Sequence, residues 1–499
     1  MRDRILLVTG RNAAPYVRKK ASGRVHVCGI DVAALLSPER LFEELSKLDL
    51  SMYSMVIVPG LVSGNTLGLS KRLGIPVCKG TKHHSEIPLL LASLGEIKLS
   101  SVLPADFALE RKVRESVERQ LADACKPGKK FLMKIGRKNS VYLGGDYPMR
   151  VVAEIPDAPF LSKKELQSRA KYLVKNGADI VDIGMVSGVD NSGKIAGIVK
   201  TLRNTVGVPL SIDSMNPSEI LAGVKAGVDL VLSIGEGNME VAAKICVPFV
   251  VVPVGKNGRL PEKAENQVRK LGLLARKFKG KKVILDPVLS PLNHGFVESV
   301  KALSLLRRKY PKTPLFMGAG NVTELMDADS VGVNALLAGI ASEIGVELLF
   351  TVEASAKTRG CVRELATAAK MMHLAGRQAK SPKDLGLNLL WLKDKRSIET
   401  STDSSLSKLR FIEVANIPSK IEQDFYRIFI KDSKIHVVEY KKGRPARGYR
   451  GVSSEALYKK VCSESRISSE HAAYLGKELA KAEIALKLGK NHVQDEDLF

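Results

Sequence analysis

The sequence predicts an α/β protein. Its centre is a closed (β/α)8 barrel, flanked by an N-terminal doubly wound α/β domain and a small C-terminal α+β domain. Three observations predict this. Four short β-branched runs alternate with helical patterns over residues 1–95. Eight further strand-like runs, each followed by a candidate helix, recur from Val151 to about residue 378. Two strand-like runs and a long helix then fill residues 409–499. Strands alternating with helices imply parallel pairing, whereas adjacent strand runs followed by helix imply an antiparallel sheet with a helical layer.

In the first segment the strand-like runs are RILLVTG (4–10), RVHVCG (24–29), YSMVIVPG (53–60) and IPVCKG (75–80). SPERLFEELSKL (37–48) supplies a helix between two of them. Residues 96–150 read as a less regular connection, in which FLMKIG (131–136) and SVYLGG (140–145) flank a turn-like RKN and predict a hairpin. The eight regular runs are VVAEI (151–155), ADIVDIG (178–184), PLSID (209–213), DLVLSIG (229–235), PFVVVPV (248–254), KVILDP (282–287), PLFMGAG (314–320) and VELLFTVE (346–353). After the first, Ser162 and Glu165 have capping-box spacing, and Gly177 stops the helix. After the third, Pro217 occupies the first helical position behind Asn216. Even spacing of eight units favours closure over an open doubly wound sheet. Residues 379–408 contain the polar RSIETSTDSS and read as a linker. FYRIFI, KIHVVEY and the Ala/Leu/Lys/Glu-rich EHAAYLGKELAKAEIALKLG then give strands and helix, the basic KKGRPARGYRG (441–451) reads as an exposed turn, and the terminal VQDEDLF as frayed.

Composition removes several classes of function. The 499 residues include 44% hydrophobic and 26% charged residues, enough for a sizeable core. No apolar run approaches the length of a membrane span, and no secretory cleavage pattern follows the N-terminus, so a cytoplasmic protein is expected. The six cysteines are scattered with no CxxC pair, against a disulfide framework, a zinc knuckle or an iron–sulfur site. The net charge of +25 suits an anionic ligand or simple solubility. Nucleic acid is not expected, because no aromatic-plus-basic motif, zinc finger or basic zipper occurs.

In a (β/α)8 barrel the chemistry sits where strands end and the following loops begin. The polar residues there are Asp182, Asp213, Ser233, Asp286, Asn321 and Glu353. A single Asp at a strand end is ordinarily a cap or a loop hydrogen bond, and Asp213 could cap the Pro217 helix. Several carboxylates at one rim repel one another unless a ligand compensates them. A cation, a metal such as magnesium, or a flat heterocycle with several N–H donors would do so. His294, close behind Asp286, is a further acid–base candidate. Asn321 doubles as a candidate N-cap, with Glu324 at box spacing. Lys79, Lys82, His83 and His84 cluster in CKGTKHHSEIP after a strand, a position from which an anion could be bound.

GADIVDIG, PLSIDSMNPSEILAGVKAG, VILDPVLSPLN and FMGAGNV, in that order along the chain, resemble the pterin-binding barrel superfamily. That superfamily includes dihydropteroate synthases and the methyltetrahydropterin methyltransferases that act with corrinoid proteins. The whole chain is most similar to archaeal dihydropteroate synthase-related proteins. The resemblance implies that Asp213 and Asp286 contact a pterin edge with Asp182 nearby. It further implies that Ser233 stands where the family usually has Asn, and that Asn321 approaches N5 of the ring. Asp286 and Asn321 are then the catalytic residues. Two departures matter. The strand-seven Lys and strand-eight Arg-x-His of the synthases are missing from GAGNVTEL and TVEASAKTRG, although Lys357 and Arg359 lie downstream as candidate anion-binding residues. EIPDAPF also replaces an Asn-containing first loop.

The expected function is therefore a pterin-binding transferase of folate or tetrahydromethanopterin metabolism, with a synthase-like barrel. Methyl transfer to a corrinoid or thiol and a non-catalytic pterin scaffold are the alternatives. The expected cofactor is a reduced pterin, with magnesium as a further candidate. No corrinoid-binding DxHxxG occurs, so a corrinoid would sit on a separate protein. A homodimer is expected, and no membrane partner.

Overall fold

The computed structural model describes residues 4–21, 24–32, 35–137, 139–392, 425–465 and 467–498. They form two compact units, Met1–Val352 with Gly360–Leu389, and Glu353–Arg359 with Leu390–Phe499.

The first unit begins with a parallel sheet of β1 (Ile5–Thr9), β2 (Arg24–Val27), β3 (Met55–Val58) and β4 (Val77–Lys79), in the order β2-β1-β3-β4. Alternation along the strands divides its apolar side chains between two faces. Leu6, Val8, Val56 and Val58 meet the helices Pro38–Leu45 and Leu67–Leu73 on one face. Ile5, Leu7 and Ile57 meet Ala14–Lys20 and Ile87–Ser93 on the other. The sheet is thus doubly wound.

Residues 96–150 are more ordered than expected, because a 19-residue helix spans Asp106–Ala124. Only Leu109, Val117 and Ala124 of it are buried. So narrow a stripe, within charged RKVRESVERQ, gives little hydrophobic periodicity to read. The expected hairpin forms from β5 (Met133–Ile135) and β6 (Val141–Leu143).

The barrel strands are β7 (Arg150–Ile155), β8 (Ile180–Gly184), β9 (Leu210–Asp213), β10 (Leu230–Ile234), β11 (Phe249–Val251), β12 (Val283–Leu285), β13 (Phe316–Gly318) and β14 (Leu348–Val352). Neighbours pair in parallel from β7 to β12, β14 pairs with both β13 and β7, and a bridge from Leu285 to Leu315 closes the circle. The open-sheet alternative is excluded. Helix starts follow the local rules. Ser162 and Glu165 form a reciprocal capping box. Asn216, not Asp213, caps the Pro217–Ala226 helix by accepting from Ser218 N, which leaves Asp213 available to the rim.

The hairpin positions the site indirectly. Met133, Ile135, Val141 and Leu143 pack against the inward-facing Val152, Ile180, Leu230, Val250, Ile284, Phe316 and Leu348. These lie toward the starts of the barrel strands, so the hairpin plugs that end and the strand C-termini form the opposite rim. Leu143 is fully buried. Leu143→Ala is expected to destabilise the protein by about 2–5 kcal/mol in chemical denaturation, and no measurable loss would mean that the hairpin is not part of the core.

The last barrel helix spans Cys361–Gln378. The described part of the expected linker is anchored at Leu385, which is buried with Met371, Leu374 and Val117. RSIETSTDSS and the rest of 393–424 lie outside the described residues.

In the second unit β15 (Phe425–Lys431), β16 (Lys434–Lys441) and β17 (Arg444–Gly451) make an antiparallel meander, followed by helices Ser454–Glu464 and Ser469–Leu488. Tyr426, Ile428, Ile435, Val437, Leu457, Val461, Leu475 and Leu479 form its core. Within KKGRPARGYRG the turn is confined to Lys442 and Gly443, and Arg444–Gly451 is an exposed edge strand. Its pairing is carried by backbone, and its mostly exposed side chains leave no apolar alternation to detect. The C-terminal tail, expected to fray, is anchored at Gln494, which donates to Tyr426 O at 2.7 Å and accepts from Ile428 N at 2.8 Å. Among the described residues no helix is long and apolar enough to cross a membrane.

Candidate functional site

Period-two alternation decides which side chains enter the barrel. Val152, Ile180 and Ile284 point inward, so Glu154, Asp182 and Asp286, each two residues on, point inward as well. Ser211 pairs in register with Asp182 and donates to it, and Asp213 follows two residues later. Four carboxylates thereby converge at one rim.

Asp182 is fully buried. Its Oδ1 accepts from Ser211 Oγ at 2.6 Å, and its Oδ2 is buried with no partner. Burial, with the charges of Asp213 and Glu154 added, raises its pKa well above the carboxylate range. Asp213 accepts from Ser233 Oγ at 2.7 Å, and burial raises it too, against that hydrogen bond. Asp286 accepts from Val288 N at 2.7 Å. Burial and, more weakly, Asp213 push it up to about 7. Glu154 is pushed up to about 7 by burial and by Asp213, Asp157 and Glu324. No cation contributes to any of these shifts among the described residues.

The backbone around these groups is strained. Ser233 has φ 67° and Val288 φ 67°. The left-handed region is unfavourable for any side chain and most of all for a β-branched one. Asn238 holds the first: its Nδ2 donates to Ser233 O at 3.1 Å while its Oδ1 accepts from Gly235 N at 2.8 Å. A side chain at Gly184 would overlap the Glu154 carboxylate, which explains the glycine ending the D-I-G run.

Asn321 lies inside the short helix Gly320–Thr323, whose N-cap is Ala319, so the capping role expected of it does not hold. Its Nδ2 donates to Leu289 O at 2.9 Å. His294 sits in an exposed turn. Lys82 pairs with Asp384 at 3.5 Å, and Lys79 is buried on β4, its pKa lowered by desolvation. Lys82, but not Lys79, lines a cavity of about 230 Å³ beside β1 and β3. Lys357 and Arg359 belong to the segment Glu353–Arg359 of the second unit, where the Arg359 stem lies beside Gly489.

Glu154 was not among the expected site residues. EIPDAPF reads as an altered loop, but counting two residues on from Val152 finds it. Asn238 carries no such signal, because its role depends on a loop conformation.

Residues 156–325 match the pterin binding enzyme family, and residues 422–495 match a domain family described as PterinBD-DUF4346. The chain is also 37% identical over 529 residues to an uncharacterized protein of Methanocaldococcus jannaschii, covering 99% of each. The chain belongs to the pterin-binding (β/α)8 superfamily. A dihydropteroate synthase of Clostridium beijerinckii is 25% identical over 211 residues, covering 37% of this chain and 78% of that one. The structure of Yersinia pestis dihydropteroate synthase with a pterine-sulfa conjugate has a TM-score of 0.40 at 20% identity, covering 49% of this chain and all of that one. The pterin-binding match contains Asp182, Asp213, Ser233, Asp286 and Asn321, and begins two residues after Glu154.

Chemically, the rim is a set of acceptors with no counter-charge among the described residues. It can hold protons of its own, or it can accept N–H groups from a ligand. A carboxylate takes two parallel N–H donors side by side.

Proposed function

We propose that the chain is a transferase acting on a reduced pterin of the folate or tetrahydromethanopterin type. Asp182, Asp213 and Asp286 would grip its amino-pyrimidinone edge. The observation that carries this reading is the convergence of buried carboxylates, none offset by a described cation, at the rim of a pterin-family barrel. Adjacent ring and amino N–H groups would fill those acceptors. The hydroxyl of Ser233 fixes the orientation of Asp213 for that contact. Magnesium is an alternative counter-charge for the same oxygens, and a magnesium dependence of pterin binding would reveal it.

Methyl transfer is the second reading, favoured by Asn321 in the short helix that follows β13 and by carboxyls that hold protons near neutrality. The synthase Lys and Arg-x-His are also absent from the two corresponding stretches. In this reaction the acceptor's electron pair forms the new bond to the methyl carbon. The C–N5 pair stays on nitrogen, and N5 takes a proton. Glu154, pushed to about 7, is suited to hold that proton. Asn321 would orient N5 by hydrogen bonding. The acceptor would be a thiolate or a corrinoid on a separate protein.

The test is calorimetry against a panel of pterins, followed by assays of methyl transfer and of condensation with an aminobenzoate. For Asn321→Ala, affinity for a methylated tetrahydropterin is expected to stay within about threefold while methyl transfer slows at least tenfold. Turnover of a pterin diphosphate with the aminobenzoate would establish synthase chemistry instead. Binding without any turnover would establish a scaffold.

A further inference from the structure

We propose that His26, Cys28 and Glu44 form a binding site for one zinc-class divalent cation in the N-terminal sheet. His26 is the third residue of β2 and Cys28 follows two residues later, just past the strand, so both side chains lie on the same face. Helix Pro38–Leu45 crosses that face with Leu41 and Leu45 buried in the core. Glu44 lies three residues beyond Leu41 and is thereby set over the strand.

One ligand atom from each residue, an imidazole nitrogen, Sγ and a carboxylate oxygen, falls within 4.8 Å of the other two. In a tetrahedral zinc site, metal–ligand bonds of about 2.0–2.3 Å place ligand atoms roughly 3.3–3.8 Å apart. His26 Nε2 and Glu44 Oε2 already stand at 3.6 Å. That is too long for a hydrogen bond, and Nε2 is buried with no hydrogen-bond partner. A side chain placed only for packing would satisfy that nitrogen or turn it to water. Cys28 is buried, whereas the His26 and Glu44 side chains are 21% and 33% exposed. The soft ligand thus sits at the base and the two harder ligands lie toward solvent, from which a water would supply the fourth ligand. Thiolate and imidazole donors select zinc or cobalt over magnesium or calcium. Binding replaces the thiol proton with the metal, so one proton is released per ion.

The site is separate from the barrel rim, and its test does not depend on the pterin reading. Full-length protein is stripped with a chelator and titrated with Co2+ while the thiolate-to-cobalt charge-transfer absorption is followed. The expected result is saturation at one equivalent, reversal by Zn2+, and complete loss of the band in Cys28→Ser. Glu44→Gln and His26→Gln, both at partly exposed positions, are expected to keep the parent's far-UV circular dichroism and to bind Co2+ at least tenfold more weakly. Absence of the band from the parent, its persistence in Cys28→Ser, or unchanged affinity in both of the other variants would overturn the proposal.

Discussion

Asp286→Asn is expected to make the protein more stable than its parent at pH 8 while weakening reduced-pterin binding at least tenfold. Burial raises the folded-state pKa of Asp286 from 3.8 to about 7. Between those values the folded chain holds a proton that the unfolded chain has released, so stability falls as pH rises through that window. Above pH 7 the folded protein carries a buried charge whose penalty is on the order of 4 kcal/mol at most. An amide avoids the charge and keeps an oxygen for Val288 N. The stability gain should therefore be small at pH 4, grow through pH 5–7 and level off by pH 8. Thermal melts of parent and variant across that range measure it. An equal gain at pH 4 and pH 8 would mean that Asp286 is not held protonated.

Asp213→Asn is expected to have the larger effect on ligand binding. Asp213 acts on all three of its neighbours, because its charge raises Glu154, Asp182 and Asp286 alike. Removing it should lower the pKa of each neighbour. It also removes a charged acceptor from the ligand, and hydrogen bonds to charged groups are each worth about 1.5–3 kcal/mol. Affinity should fall at least tenfold. In the parent, affinity should rise with pH through about 7 and then level off, as the rim gains acceptor capacity. The variant should reach that plateau at lower pH. Calorimetric titrations from pH 5 to pH 8.5 separate the two curves, and coincident profiles would show that Asp213 does not govern its neighbours.

The closed barrel was legible because its strands are apolar runs ended by turn signals, and because two of the following helices announce their starts with side-chain caps, at Ser162 and Asn216. Asp182, Asp213 and Asp286 were legible because carboxylates end otherwise apolar strands. The segment Asp106–Ala124 was not, because a helix buried along so narrow a stripe has almost no apolar period. The strand Arg444–Gly451 was hidden for a related reason: its exposed side chains say nothing about its backbone pairing. At the rim, the inward direction of Glu154 was available from the alternation with Val152. The Asn238 support and the left-handed Ser233 and Val288 were not, since they arise from loop conformations that no periodicity encodes.

The most direct test is a calorimetric titration of the parent, Asp213→Asn and Asp286→Asn with a methylated tetrahydropterin at pH 8. One site per chain in the parent, with affinity at least tenfold weaker in both variants, is the predicted result. A parent that binds no reduced pterin, or variants that bind as tightly as the parent, would contradict the carboxylate rim as the pterin site.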